Sequence, residues 1–307
     1  MKIEIIKPFG DAFELMKRIL FQPFNLEKWC VIGLAAFLTG HAGGSGYGFN
    51  LLSSFVNPRA TSAEREAVDW PWFEEWKPWL PVIIAVAAVI FLALIMVFGW
   101  LKARANFIFT NCIVRNRGAF AEPWREYRRE GNSYFLFSLL LFLASLILFG
   151  IAGLILFLTG AFASAQSDQP AVLIVIMVIF FIVWIPLAIV VGLTTYFMTP
   201  VMYVQRCRAM DAFRIVFQLI MNNSGPFILL CLFGIVLVIA LVIASLIVGC
   251  LTCCVAAIPY VGTVIMLPAF VWLHAFGLLF LRQFGPEYDV FARSTSSVSS
   301  EPPPLPA

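Results

Sequence analysis

KARANFIFTNCIVRNRGAFAEPWREYRREGNS, residues 102–133, carries seven of the chain's twenty basic residues and three of its acids. The apolar runs on either side, Trp79–Leu101 and Tyr134–Thr159, carry no formal charge. Charged side chains at bilayer depth are costly, so a segment of this kind marks a water-facing turn between two crossings. The side of the membrane it occupies then places the rest of the chain.

The composition agrees. The 307 residues are 62% hydrophobic and 12% charged, with a mean hydropathy of +0.94, whereas a soluble domain is roughly 45–50% apolar and about 25% charged. The sequence therefore predicts an all-α integral membrane protein. Six transmembrane helices are expected near 29–48, 79–101, 134–159, 171–198, 226–251 and 259–281. The uncharged run from Ile215 to Leu281 is too long for one crossing and must turn back, with the turn placed at Cys253–Gly262. The first crossing is interrupted by His41-Ala-Gly-Gly-Ser-Gly-Tyr-Gly48, which leaves open a re-entrant segment or a broken helix whose polar part faces protein or water, while the distribution of basic residues favours a full crossing. Residues 1–285 form one polytopic domain, and the Ser- and Pro-rich stretch 286–307 is expected to be a disordered cytoplasmic tail.

Orientation follows from the basic residues. With both termini inside, seventeen of them fall on the inner side and three on the outer. That bias predicts an inner (cytoplasmic) membrane protein with cytoplasmic N- and C-termini.

The inner segments resemble one another. Asp11-Ala-Phe13 is matched by Asp211-Ala-Phe213, Arg115-Asn-Arg117 by Arg206-Cys-Arg208, and Glu122-Pro-Trp124-Arg125 stands where Asp211-Ala-Phe213-Arg214 stands later. Repeat-like units at about 8–101, 118–200 and 209–282 are expected, each a cytoplasmic amphipathic surface helix followed by a helical hairpin. The apolar faces are predicted as Phe9, Ala12, Phe13, Met16 and Leu20 in the first, Phe120, Trp124 and Tyr127 in the second, and Met210, Phe213, Phe217 and Ile220 in the third. Glu122/Arg125 and Glu126/Arg129 stand at i,i+3 spacing, where they can pair.

These repeated acid–aromatic–Arg helices, with Asn132-Ser133 and Asn223-Ser224 at the entry to the next span, resemble an uncharacterised bacterial family of polytopic membrane proteins. They are also weakly similar to the membrane domain that accompanies some glycerophosphodiester phosphodiesterases. The resemblance implies a membrane module only. The catalytic barrel and its His/Glu metal ligands are absent, so no catalytic residue carries over.

Candidate chemistry is sparse. No nucleophile–base pair, paired carboxylate or metal motif occurs at a workable spacing, and no enzyme activity, cofactor or metal is indicated. The cysteines, including Cys250, Cys253 and Cys254, read as small packing residues. His274 is the titratable group inside a predicted span, and His41 stands beside the glycines. Both are candidate intramembrane polar positions, with inter-helix packing the plainer role for His274. Asn106, Thr110 and Asn111 extend the second span toward the basic segment.

The expected function is a non-enzymatic scaffolding, accessory or lipid-organising one. Its binding face would consist of Trp124, Arg125, Tyr127, Arg128, Arg129, Arg206, Arg208 and Arg214, directed at membrane lipids or at a cytoplasmic or membrane protein partner. No nucleic-acid partner is indicated. The alternatives are a small permease for an apolar or zwitterionic solute, with a path near the glycine tract, and a lipid-modifying membrane enzyme.

Overall fold

The computed structural model describes residues 3–41, 79–158, 171–252 and 259–292, and among them the regular elements are all helical. In chain order they are α1 (Ile6–Leu20), α2 (Leu26–Ala36) with a kinked turn at Phe37–His41, α3 (Leu80–Val114), α4 (Ala121–Glu126), α5 (Arg128–Leu158), α6 (Ala171–Gln205), α7 (Ala209–Asn222), α8 (Ser224–Leu251), α9 (Pro259–Ile265), α10 (Leu267–Arg282) and a 3₁₀ turn at Pro286–Tyr288. The expected tract 42–48 and loop 159–170, with Cys253, Cys254 and residues 293–307, lie outside the described residues.

Four helices, α3, α5, α6 and α8, are long and apolar enough to cross a membrane. Large apolar side chains stand exposed along them: Phe91 at 66%, Phe157 at 69% and Ile228 at 68%. Leaving such surface in water costs about 25 cal/mol per Å², and patches on this scale are not tolerated by soluble monomers. Hydrocarbon is the solvent these helices suit.

The other two expected spans are short. α2 reaches only Ala36 before the turn, where Gly40 takes φ 84°, a conformation that favours glycine. The 259–281 segment breaks at Met266 into α9 and α10, and Pro268 sits in the first turn of α10, where its missing N–H costs nothing.

Several helices overrun their apolar runs. α3 continues past Leu101 to Val114, α5 begins at Arg128 and α6 runs on to Gln205. Backbone hydrogen bonding continues past a charge as long as the side chain finds a place. Lys102 is exposed, and the Arg104 guanidinium lies 4.4 Å from the Trp100 ring and 4.8 Å from the Trp124 ring. The stretch 102–133 is therefore mostly helix, and Ala103–Val114 is mostly buried.

The chain divides into two bodies. The first comprises Gly10–Arg125 and Leu232–Ala275. In it α2 packs on α3 and on α9, with Tyr260 donating its hydroxyl to the Cys30 carbonyl at 3.1 Å and standing edge-on to Phe37. The end of α1 is closed by side chains from the start of α2. Lys28 Nζ donates to the Ile19 carbonyl and to Asn116 Oδ1, both at 2.7 Å, and Trp29 Nε1 donates to the Leu20 carbonyl at 2.8 Å. Orphaned carbonyls at a helix end are thereby satisfied. Burial holds the Lys28 ammonium below its ordinary pKa, partly offset by the Cys112 thiol.

The second body comprises Met1–Phe9, Glu126–Cys231 and Phe276–Ala307. Phe197, Phe227, Phe280 and Phe284 form its aromatic core, with Phe227 5.6 Å from Phe280 and 5.2 Å from Phe284. Gln283 clasps the N-terminal segment, accepting from Glu4 N at 2.9 Å and donating to Glu4 O at 2.8 Å. The expected tail boundary after Gly285 moves outward. Arg282 pairs with Asp289 at 3.0 Å, Gln205 donates to the Glu287 carbonyl, and Val290 is fully buried. A buried valine and an ion pair hold this stretch against α6.

A Cβ at Gly118 would stand 3.0 Å from the Lys28 Cα, against main chain that cannot rotate away. Gly118→Val should therefore lower stability by about 1–3 kcal/mol. Lys28→Met, which removes the cap and the Asn116 bond, should cost about 1–2 kcal/mol. Thermal unfolding in detergent measures both, and an unchanged midpoint in either variant would contradict this account of the junction.

Candidate headgroup-facing site

The predicted face is built on the connections α3–α4–α5 and α6–α7. Both long helices that enter these connections end on a residue with positive φ: Asn116 at 53° after α3 and Arg206 at 52° after α6. Each is a left-handed helix stop. Asparagine tolerates that conformation, whereas for arginine it costs about 1–2 kcal/mol, so the Arg206 side chain must be held by something that offsets it.

Two carboxylates hold it. Arg206 pairs with Glu126, and its Nη1 lies 3.3 Å from Glu130 Oε1. Its guanidinium also lies 4.0 Å from the centroid of the Tyr127 ring, which stacks on Tyr203 at 4.9 Å. Burial disfavours the Arg206 charge, but Tyr127, Glu126 and Glu130 outweigh it and raise the pKa. Burial, then Tyr203, pushes the Tyr127 phenol well above its ordinary value.

The expected intrahelical pairs are not what forms. Glu122 pairs with Arg115 at 3.1 Å rather than with Arg125, and Glu126 pairs with Arg206 rather than with Arg129. Connections between helices supply arginines that a spacing rule within one helix does not consider. As a result Arg125, Arg128 and Arg129 are exposed with no ion-pair partner among the described residues, and so are Arg208 and Arg214.

The candidates therefore divide. Arg125, Arg128, Arg129, Arg208 and Arg214 face outward. Trp124 is half-buried, stacked on Phe120 and edge-on to Trp100. Tyr127, 4% exposed, and Arg206 turn inward as parts of the ion-pair cluster. Sequence reasoning named Glu126 only as a partner for Arg129 and did not single out Glu130. Their signal was two acids four residues apart in the basic segment.

The buried faces of α1 and α7 are shifted in register from those expected. α7 buries Ala209, Ala212, Val216 and Ile220, while Met210 and Phe217 are exposed. α1 buries Pro8, Ala12, Met16, Ile19 and Leu20, while Phe13 is 37% exposed. Small residues allow close approach of helices, so alanines face the protein and the larger apolar groups lie outside.

His274 is engaged. Thr110 donates its hydroxyl to the Asn106 carbonyl at 2.9 Å, and its Oγ1 lies within hydrogen-bond distance of His274 Nε2 at 3.0 Å. The Phe109 ring stands edge-on to the imidazole at 4.9 Å. His41 closes the turn after α2. No group of three metal-ligating side chains occurs among the described residues.

Arg206→Asn keeps a residue that tolerates the left-handed backbone but removes the guanidinium from Glu126 and Glu130. It should lower stability by about 1–3 kcal/mol, whereas Arg208→Asn should be near neutral. Equal unfolding midpoints for the two variants in detergent would refute the assigned role of Arg206.

No curated protein and no solved structure matches the chain, and no similarity to glycerophosphodiester phosphodiesterases is shown. A family model matches residues 3–290, and the chain accordingly belongs to that family, a family of unknown function (DUF7544).

Proposed function

We propose that the protein is a non-enzymatic inner-membrane protein that organises lipid, binding anionic headgroups through its unpaired arginines. One observation carries this reading: the acids of the α4–α5 connection are consumed by Arg115 and Arg206, leaving Arg125, Arg128, Arg129, Arg208 and Arg214 uncompensated. Each basic residue near an anionic leaflet contributes about 1 kcal/mol. The arginines stand beside the ends of helices long enough to cross the bilayer, and Met210 and Phe217, exposed on α7, are apolar neighbours for acyl chains. A protein partner with an acidic face would use the same arginines.

The arrangement that suits this role is six crossings in three hairpins with both termini cytoplasmic, each hairpin preceded by a surface helix. Support comes from a shared burial pattern: Ala12, Pro123 and Ala212 are buried at matching positions, and so are Met16, Tyr127 and Val216 four residues on. The positive-inside bias supports the orientation. A small permease draws its support from the two interrupted helices, α2 and α9, packed side by side, since broken helices line solute paths in transporters.

With Arg125, Arg128 and Arg129 all changed to Gln, affinity for vesicles containing phosphatidylglycerol should fall roughly a hundred-fold. The wild-type affinity should weaken with added salt. An unchanged, salt-insensitive affinity would eliminate anionic headgroups as the target. In a cysteine-labelling series, position 125 should react from the cytoplasmic side and position 165 from the outside. Reaction of both from one side refutes the six-span layout, and labelling at 42–48 that a solute blocks would favour the permease.

A further inference from the structure

Glu130 sits in the first turn of α5, with its side chain 10% exposed. Its Oε1 takes the Arg206 contact, while Oε2 is buried with no hydrogen-bond partner. Arg206 contacts both Glu126 and Glu130, and neither contact reaches Glu130 Oε2. A buried acceptor left unmade costs about 1–3 kcal/mol, and more when it is charged. The neighbours do not offset it. Cys207 feels both Glu130 and Asp211, and burial with these two charges raises its thiol pKa. Ser133, one turn beyond Glu130 on α5, has its hydroxyl oxygen occupied by the Ala209 N–H at 3.1 Å. What the site lacks is a cationic hydrogen-bond donor.

The surroundings show what would bring one. Arg206 and Glu126, 28% and 29% exposed in their side chains, form the open edge of the cluster. Arg129 and Arg208, exposed and without ion-pair partners among the described residues, flank it on α5 and before α7. A buried, donor-seeking carboxylate oxygen rimmed by positive charge at the end of an apolar helix complements a zwitterionic headgroup. The ammonium goes to the centre and the phosphate to the rim. An anionic headgroup with hydroxyls only would satisfy the rim and bring no cationic donor to Glu130 Oε2. A trimethylammonium has no N–H to donate.

We propose that the Glu126–Glu130–Arg206 cluster is a receptor for the primary ammonium of an aminophospholipid, with Arg129 and Arg208 holding its phosphate. This rests on the headgroup-binding reading above and names the lipid class.

The test is lipid retention by the full chain, purified in detergent and examined by native mass spectrometry with phosphatidylethanolamine, phosphatidylcholine and phosphatidylglycerol. The wild type should retain phosphatidylethanolamine over phosphatidylcholine by about ten-fold, the worth of a charge-assisted hydrogen bond. Glu130→Gln should lose that preference while phosphatidylglycerol retention stays unchanged. Equal retention of the two zwitterionic lipids by the wild type overturns the proposal without recourse to any variant, leaving a buried water as the partner of Oε2. A preference that survives Glu130→Gln also overturns it. Displacement of the bound lipid by millimolar free ethanolamine would make the ligand a soluble amine and overturn the lipid assignment. Failure of the headgroup-binding reading looks different: phosphatidylglycerol retention would then be indifferent to the Arg125/Arg128/Arg129 substitutions.

Discussion

One guanidinium divided between two carboxylates governs the connections α4–α5 and α6–α7 of this chain. Arg206 follows α6, Glu126 ends α4 and Glu130 begins α5, so the cluster ties the start of one long helix to the end of the next. In the low dielectric beside a membrane such a tie is strong, because water does not compete well for its members. It also has a cost in backbone geometry, visible in the positive φ of Arg206. Fixing the guanidinium in turn fixes which acids are spent and which arginines remain. The surface charge of the second body is thus a consequence of an internal contact.

The same logic explains how much could be read from the residues alone. Apolar runs such as Trp79–Leu101 predict helices, because in hydrocarbon every backbone polar group must be satisfied internally. They do not predict where those helices end. α3 carries Lys102 and Arg104 within it, the first exposed and the second against Trp100 and Trp124. A charge count marks both as the edge of the membrane, whereas the backbone responds only to whether its next hydrogen bond can form. The start of α2 is set by local chemistry, the Asn25 side chain accepting from the Glu27 and Lys28 N–H groups, a signal the apolar pattern does not carry.

Contacts between connections were the least legible. Lys28 reaches Asn116 across 88 positions and Arg206 reaches Glu126 across 80, and no periodicity within a segment encodes such a pairing. The division of the candidate arginines into outward and inward groups depends on these long-range pairs. The amphipathic faces missed for a related reason. Hydropathy ranks Phe217 and Met210 above Ala212, yet close helix approach selects the small residue and turns the large ones outward. In water that choice would be unfavourable. Beside lipid it costs nothing, since acyl chains solvate phenylalanine as well as a protein core does.

Ala12, Pro123 and Ala212 each follow an acid, or occupy the place after one, and precede an aromatic residue; each is buried, and the residue four places on, Met16, Tyr127 or Val216, is buried beneath it. A common register of this kind is what three copies of one packing solution would leave behind. The three segments differ in what fills the second position. Methionine and valine close the interface with apolar atoms alone, whereas Tyr127 brings a ring on which Arg206 rests at 4.0 Å. Among the described residues, this is the connection where an arginine lies on a buried tyrosine ring and two glutamates four positions apart converge on it. What sets this segment apart is therefore its second position, where a ring with a polar edge replaces purely apolar atoms and lets ion pairs assemble around it.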